Sequence, residues 1–560
     1  MNQKVKDAIF KYALQNAVKF KGKANPGAII GRILGEFSDL REKTNEVMDE
    51  IKRIVDEVNA TDPVEQIKKL QELSPDFFTK RETKEKRLPD LPKAQKGEVV
   101  TRIPPEPSKY NHIGHALTFI INYLYAKKYE GKCVLRFEDT NPLKSEQEYV
   151  DAMKSDVLDY LDIKPDKTVY VSDDLEKMYR LVEKLIKSGH AYVCFCSRDL
   201  MQDNRHKGIA CACRDADSAK NKTEWENMVK GKYKEGQCSL RLKIDMHADN
   251  QVMRDPVVFR IIDTEHYRQK KKYKVWPMYD FAGPCEEEWN GTTHILRSAE
   301  FGTMRAELQN FIKDLFKFRK QPIIQYGRFN VVGAVTQGRE IRQMIEEGKV
   351  AGWDDPRLVT LKALKRRGFV KEMFYELALE VGLSPVQTNI DWKMISAINR
   401  RILDPKAYRY FFINEPVKIR IKGAPEQDIE LNLHPDNKKG GRKFRTGEEF
   451  LIEKTDLEQL SENALYRLMD CLNFRKKGNG FESDSLEYEK YRESGKKIMH
   501  WLPAGQAVDV EILMPDASVL KGIAEPGVKK IKQDTVIQFE RFGFCRLDDK
   551  KRLRFWFTHK

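Results

Sequence analysis

The sequence predicts a multidomain α/β protein: a doubly wound parallel sheet broken by an insertion, a helical region, C-terminal β-barrels and an N-terminal helical extension. Three observations carry this. Strand-like and helical stretches alternate from residue 98 to about 190, the pattern of a parallel sheet with crossover helices. Cysteines, charges and short strands interrupt that alternation over 191–275. Beyond residue 406, short alternating strands are separated by Gly, Pro and Asp, as in small closed β-structures.

Taken in order, residues 1 to about 60 read as helices. Leu40, Val47, Ile51, Ile54 and Val58 recur at spacings of three, four or seven, one apolar stripe on a charged helix. Residues 79–97 are charged, proline-bearing and non-periodic, which closes a first segment, 1–95, as an extension with a linker. Over 96–190, "VVTRI", "CVLRF" and "TVYVS" read as strands, with helices expected at 116–129, 145–161 and 173–188. After the insertion the strand and helix signals resume at 276–345. Residues 346–405 are helical and basic, with "LKALKRRGF" and "INRRILD". Residues 406–560 carry the strands "VKIRIKG", "DIELNLH", "AVDVEILM", "TVIQFERFGFCRLD" and "RLRFWFT", in one or two consecutive barrels.

The 560 residues carry a net charge of +15, which favours a polyanionic partner. No apolar run approaches the roughly 18 residues a membrane span needs. "GAIIGRILG" has small residues every fourth position, but its polar setting argues against a membrane dimer motif. The first twenty residues show no cleavable signal pattern. Nine cysteines, four of them within 194–213, suit a cytoplasmic protein with one metal site better than a secreted disulfide scaffold.

The stretch "EPSKYNHIGHALTFIINYLYA" (106–126) places His112 and His115 around Gly114 at the mouth of an apolar helix. Three apart, the histidines share a helix face. The preceding "GEVVTRIPPEPS" reads as a short strand ended by prolines. A strand, turn and buried helix in that order put a helix N-terminus where phosphate binds.

Four blocks together resemble one family. "RIPPEPSKYNHIGHA" (102–116) is similar to the first signature of class I aminoacyl-tRNA synthetases, which opens a helix of a Rossmann-like domain. "LRFEDTNP" (135–142), "WPMYDFAGP…GTTHILR" (276–297) and "GWDDPRLVTLKALKRRG" (352–368) resemble the glutamyl/glutaminyl branch. "QFERFGFCRLD" (538–548) looks like its β-barrel anticodon-binding region in the archaeal and eukaryotic type. The resemblance covers roughly 98–560, and residues 1–97 resemble only the variable extension of archaeal members.

The resemblance implies ATP-dependent attachment of glutamate to the 3′ end of tRNA through an adenylate, with Mg2+, in a cytoplasmic monomer. Such a reaction rests on positioning and charge stabilisation at phosphorus. By similarity, His112, Gly114, His115, Thr336 and Arg339 would meet ATP, with His112, His115 and Arg339 catalytic. Arg102 would hold the substrate side-chain carboxylate, a task suited to the guanidinium fork. Tyr279 would hydrogen-bond the substrate, Glu138 would meet the α-amino group and Arg297 a carboxylate. Glu106 would contact substrate or the tRNA end. The insertion would take the acceptor end, and Lys362, Lys365, Arg366 and Arg367 would supply tRNA phosphate contacts.

The sequence departs from the pattern twice. The second signature falls at "VTQGRE" (335–340), where Gln337 and Gly338 replace basic residues and Arg339 alone keeps the place of the last lysine. Lys109 stands where the first motif commonly has glycine. Cys194, Cys196, Cys211 and Cys213 form two Cys-x-Cys pairs that suit one structural zinc ion, against the alternative of four reduced, partly buried thiols. "LRFEDT" leans to glutamate over glutamine. Two other readings stand beside it: a glutaminyl enzyme that also or instead serves glutamine isoacceptors, and a tRNA-binding paralogue with impaired adenylation.

Overall fold

The structure, a computed structural model, describes residues 2–20, 22–74, 77 and 88–560. The chain divides into two compact units, Met1–Arg87 and Leu88–Lys560. Of the linker expected over 79–97, residues 79–87 lie outside the described residues.

The first unit is helical: α1 (Gln3–Lys19), α2 (Gly27–Glu36), α3 (Thr44–Ala60) and α4 (Pro63–Leu73). The stripe Val47, Ile51, Ile54 and Val58 is buried against Ile9, Leu14, Ile29 and Ile33. Periodicity did not announce α4, because its buried face holds a glutamine. Gln66 Nε2 donates to the carbonyls of Val58 (2.8 Å), Thr61 (3.0 Å) and Gly22 (3.1 Å). The two N–H bonds of the amide are thereby shared among three carbonyls that would be costly to bury unpaired.

The second unit opens with three parallel strands in the order β1 (Val100–Ile103), β2 (Lys132–Phe137), β3 (Lys167–Tyr170). The connections are α5 (Ile113–Lys128) after β1 and α6 (Gln147–Lys154) after β2, with α7 (Leu175–Lys187) following β3. The helix expected over 145–161 is shorter and ends in a π-helical turn, Ser155–Tyr160. That turn carries Asp156 to Asn111, whose Nδ2 donates to it at 3.0 Å.

An antiparallel sheet follows, β4 (Ala191–Cys194), β5 (Ser239–Leu242), β6 (Val257–Ile261) and β7 (Val275–Pro277), with α8 (Arg198–Lys207) and α9 (Ser218–Val229) between its first two strands. The chain then returns through α10 (Tyr279–Trp289) to the parallel pair β8 (Ile295–Ser298) and β9 (Ile323–Tyr326), joined by α11 (Gly302–Phe316). Thr293 N donates to Val100 O at 2.9 Å, tying this pair to β1. A second parallel pair, β10 (Phe329–Val331) and β11 (Thr388–Ile390), encloses α12 (Gly338–Glu346), α13 (Leu361–Arg367) and α14 (Lys371–Val381). Helix α15 (Trp392–Leu403) follows.

The rest is β-structure in two seven-stranded sheets and a hairpin. The two sheets nest rather than follow one another: strands Arg409–Tyr410 and Phe412–Asn414 belong with the terminal strands from Val508 onward, and the strands between Pro416 and Pro503, the hairpin Gln427–His434 and Asn437–Thr446 excepted, form the other sheet. In each sheet the two edge strands are near neighbours in sequence. Tyr410 and Phe412 flank one residue, and Met499 and Leu502 flank two, so both sheets curl until their edges meet. "TVIQFERFGFCRLD" is a hairpin, Val536–Phe539 and Gly543–Asp549, turned at Arg541 with φ 61°. No helix among the described residues is long and apolar enough to cross a membrane.

Candidate active site

His112 caps α5 and His115 sits in its first turn. His112 Nδ1 accepts from Gly114 N at 3.1 Å, and His115 Nδ1 accepts from His112 N at 3.1 Å. This reciprocal box satisfies two of the orphan donors of a helix start. Because each Nδ1 accepts, each neutral ring carries its proton on Nε2. Burial first, then nearby positive charge including Lys109 and Arg328, holds His112 well below the ordinary imidazole range and His115 at about 3. Both rings are therefore neutral hydrogen-bond donors at physiological pH. Gly114 has no room for a side chain: a Cβ would lie 2.9 Å from His112 Cε1 and 3.3 Å from Phe329 O.

The 352–368 block packs beside this loop. Ile113 N donates to Val359 O (3.1 Å) and Leu361 N to Asn111 O (2.8 Å). Thr360 caps α13 through Ala363 N (3.1 Å) and also donates its hydroxyl to Trp353 O.

Beneath the loop, the ends of β1, β2, α10 and β8 bring buried charge together. Arg102 donates from Nε to Glu287 Oε1 (3.0 Å) and from NH1 to Leu296 O (3.0 Å). Arg136 donates to Glu138 Oε1 (2.8 Å) and to the same Glu287 oxygen (3.2 Å). Burial works to raise Glu287, but Arg102 and Arg136 outweigh it and hold the carboxyl at about 2. At Glu138 burial outweighs Arg136 and raises the pKa. Arg297 donates to Gln309 Oε1 (2.8 Å), and Lys313 to Gln321 Oε1 (2.6 Å). Tyr279, raised by burial, stands within the influence of Glu138, Arg102 and Arg136. Four cations, Arg102, Arg136, Arg297 and Lys313, thus gather around the buried carboxylates Glu138 and Glu287, with Glu286 beside Arg136 and Asp280 beside Arg297. Guanidinium groups held in this way can pair with an acidic ligand.

Residues 98–405 match the family described as class I tRNA synthetases (E and Q), catalytic domain. Residues 407–489 and 498–548 match the two anticodon-binding domains of the same family. The chain belongs to the class I tRNA synthetases of the E and Q branch. It is 41% identical to the glutamate–tRNA ligase of Pyrococcus furiosus, over 97% of each chain. It is 38% identical to that of Methanocaldococcus jannaschii over 98% of each, and 36% to that of Methanothermobacter marburgensis over 99% of this chain and all of the other.

In this synthetase the residues singled out from sequence are placed as follows. His112, Gly114 and His115 form the start of α5, and Arg102, Glu138, Tyr279 and Arg297 belong to the charged cluster. Glu106 is exposed on the loop before α5, and Thr336 is buried two residues before α12. Arg339 is exposed in the first turn of α12. The four basic residues of α13 do not act alike. Lys362 and Lys365 are exposed. Arg366 is committed to Asp548 and Asp354. Arg367, expected to meet phosphate, is buried: it donates to the carbonyls of Pro356 (3.3 Å) and Thr558 (3.1 Å) and lies over the Trp392 ring. Its helix face points into the protein, so the expectation is corrected.

Sequence reasoning missed Arg136, Glu287 and Asp139. Arg136 and Asp139 lie inside the quoted block "LRFEDTNP", and Glu287 is the middle one of three consecutive glutamates in α10; a charge on a buried face was the available signal. Asp139 organises a neighbouring loop, accepting from Ser172 N, Ser172 Oγ and Tyr267 OH, each at 2.8 Å.

The ligand atoms of Cys194, Cys196, Cys211 and Cys213 all lie within 4.8 Å of one another. Tetrahedral zinc with bonds of about 2.3 Å needs sulfurs roughly 3.8 Å apart, and Cys194 and Cys211 Sγ are 3.8 Å apart. Arg241 NH1 approaches both sulfurs, at 3.7 and 3.8 Å; its charge favours thiolate, and Cys211 is lowered, while burial outweighs the arginine at Cys194 and raises that thiol.

Proposed function

We propose that the chain ligates L-glutamate to the 3′ end of tRNA, using ATP with Mg2+ and passing through glutamyl-adenylate. The observation that carries this reading is the pairing of two neutral, Nε2-protonated histidines at a helix N-terminus with a buried cluster of arginines and carboxylates on the adjoining strand ends. A carboxylate oxygen of glutamate attacks the α-phosphorus, the bond to pyrophosphate breaks, and the tRNA hydroxyl then displaces AMP. Little covalent chemistry falls to the protein. His112 and His115 donate to phosphate oxygens as charge shifts toward pyrophosphate, and the bare backbone at Gly114 lets the nucleotide approach. Arg339 adds a cation from α12, and Thr336 stands beside it.

The pocket supplies the substrate side. Arg102, set by Glu287, presents its remaining end to the substrate side-chain carboxylate, Arg297 approaches a carboxylate, Tyr279 hydrogen-bonds the substrate and Glu138 meets its α-amino group. Glu106 faces the substrate or the tRNA end. In the same reading residues 191–275 take the acceptor end, with one zinc ion held by the four cysteines stapling that insertion. Residues 346–405 contact the tRNA stem, and 406–560 read the anticodon by stacking and hydrogen bonds. The enzyme works as a cytoplasmic monomer.

The altered second signature, Gln337 and Gly338, favours the competing reading of a tRNA-binding paralogue with impaired adenylation. Charging transcripts of glutamate and glutamine tRNAs with each amino acid separates the readings. The expected result is glutamate on glutamate tRNA, lowered by orders of magnitude in His112→Ala and His115→Ala with tRNA affinity kept. Tight tRNA binding without charging would overturn it.

A further inference from the structure

The two departures from the family pattern meet in space. Lys109 lies three residues before His112, and Gly338 opens α12. A Cβ at Gly338 would sit 2.6 Å from Lys109 Cδ, 3.2 Å from its Cβ and 3.4 Å from its Cγ. The alkyl stem of Lys109 therefore runs through the volume that any side chain at 338 would need.

The ammonium of Lys109 acts electrostatically on both His112 and His115. Among the described residues it forms no hydrogen bond and no salt bridge. The groups that face it are mixed: Glu106 and Glu300 favour its charge, while Arg328 and Arg342 oppose it. Those neighbours are spoken for in part. Arg328 pairs with Glu300 at 3.1 Å, and Arg342 donates to Ser108 O at 3.1 Å. A half-buried, unpaired cation thus stands between the histidine pair and the first turn of α12, whose free N–H groups also favour anions.

We propose that Lys109 is a phosphate-contacting cation of this enzyme alongside Arg339, supplied from the first signature in place of the side chain that position 338 lacks, and that position 338 is glycine because Lys109 occupies its space. The inference rests on the adenylating reading above. Lys109 acts through its charge and takes no part in bond making. It offsets the charge that builds on pyrophosphate as the phosphorus–oxygen bond breaks. Carried on the loop that His112 and His115 share, the cation is positioned with them and does not depend on a separate mobile segment.

The test uses the full chain with tRNA present and reads glutamate-dependent ATP–pyrophosphate exchange in Lys109→Ala, Gly338→Lys and the swap Lys109→Gly/Gly338→Lys. Lys109→Ala should lower kcat on the order of 100-fold while leaving the KM for glutamate near its starting value. Gly338→Lys alone should also fall, because two side chains compete for one volume, and the swap should recover activity above either single variant. Exchange by Lys109→Ala within about twofold of the parent would overturn the proposal, as would a swap no better than the worse single variant. Binding of inorganic pyrophosphate with Mg2+ gives a readout independent of turnover. Weaker pyrophosphate binding by Lys109→Ala supports the proposal even if the parent protein fails to exchange, a result that would sink only the adenylating reading. Unchanged pyrophosphate binding by that variant in such a non-exchanging protein would overturn the proposal.

Discussion

Arg366 and Asp548 are joined by two parallel hydrogen bonds, Nε to Oδ1 at 3.0 Å and NH2 to Oδ2 at 2.8 Å, across 182 positions of sequence. Arg366 also reaches Asp354 at 2.7 Å, and its guanidinium lies over the Trp556 ring. One side chain on α13 thus fastens the block beside the histidine loop to the terminal barrel.

A fork of this kind, partly screened by solvent, contributes about 1 kcal/mol. Arg366→Ala and Asp548→Asn should each lower thermal stability slightly, and the double variant should show coupling of that size by denaturant unfolding. The larger effect should appear in charging, as a raised KM for tRNA with glutamate-dependent exchange little changed. Equal losses in both steps would mean the pair serves the active site directly.

The buried cluster predicts a different split. Glu287→Gln leaves Arg102 and Arg136 facing one another across a weakened acceptor, and removing one partner of a buried ion pair costs about 3–5 kcal/mol. It should lower stability sharply. Arg102→Lys keeps the charge but loses the second arm of the fork, so it should raise the KM for glutamate far more than the KM for ATP. If ATP use suffers instead, Arg102 does not hold the substrate carboxylate.

Glu286 gives a pH signature. Its carboxyl is buried and pushed up to about 8, burial being the main cause, with Oε2 accepting from Asn290 Nδ2 at 2.7 Å. Unfolded, a glutamic acid titrates near 4.3. Between these values the folded state binds more protons than the unfolded state, so this group's contribution to stability falls as pH rises from about 4.5 to about 8. Glu286→Gln removes that loss. Its melting temperature should exceed the parent's at pH 8, and the gap should narrow as pH falls toward 5. A gap independent of pH would show that Glu286 is already ionised in the folded protein.

The four thiols predict one zinc per chain. Metal analysis should find it, and a chelator should release it together with four titratable thiols while lowering the melting temperature. Metal-free protein whose four thiols all react in the native state would end the claim.

How far the sequence carried is clearest at three residues. The capping role of His112 follows from a polar residue before an apolar run, and the first strands follow from alternation with β-branched residues. Gln66 shows the opposite case: a helix whose buried face is polar leaves no apolar period to find. Glu287 shows why the pocket was only half legible. Its partners Arg102 and Arg136 lie on two neighbouring strands, 185 and 151 positions away, and no local pattern reports a pairing made only when helix α10 packs against the sheet. The nesting of the two barrels escaped for the same reason, since two strands before residue 415 join partners beyond 508.

Lys362 and Lys365 lead to the last prediction. They are the exposed pair of α13, with Lys362 Nζ 4.7 Å from the Tyr110 ring and Lys365 Nζ 5.5 Å from the Tyr160 ring. Lys362 Nζ also donates to Tyr110 OH at 3.4 Å, and both ammonium groups act on Asp156 from a distance, without a salt bridge among the described residues. Ammonium groups set against a tRNA backbone in this way release condensed counterions and carry no sequence information. Lys362→Ala/Lys365→Ala should weaken every tRNA alike and reduce the slope of log affinity against log salt by about 1 for each ammonium removed. Arg367→Ala should behave differently. It strands the Pro356 and Thr558 carbonyls, so it should lower the melting temperature and leave the salt slope intact. A flattened slope for Arg367→Ala with unchanged stability would place its guanidinium at the tRNA after all and undo the division of this helix into an outward face and an inward one.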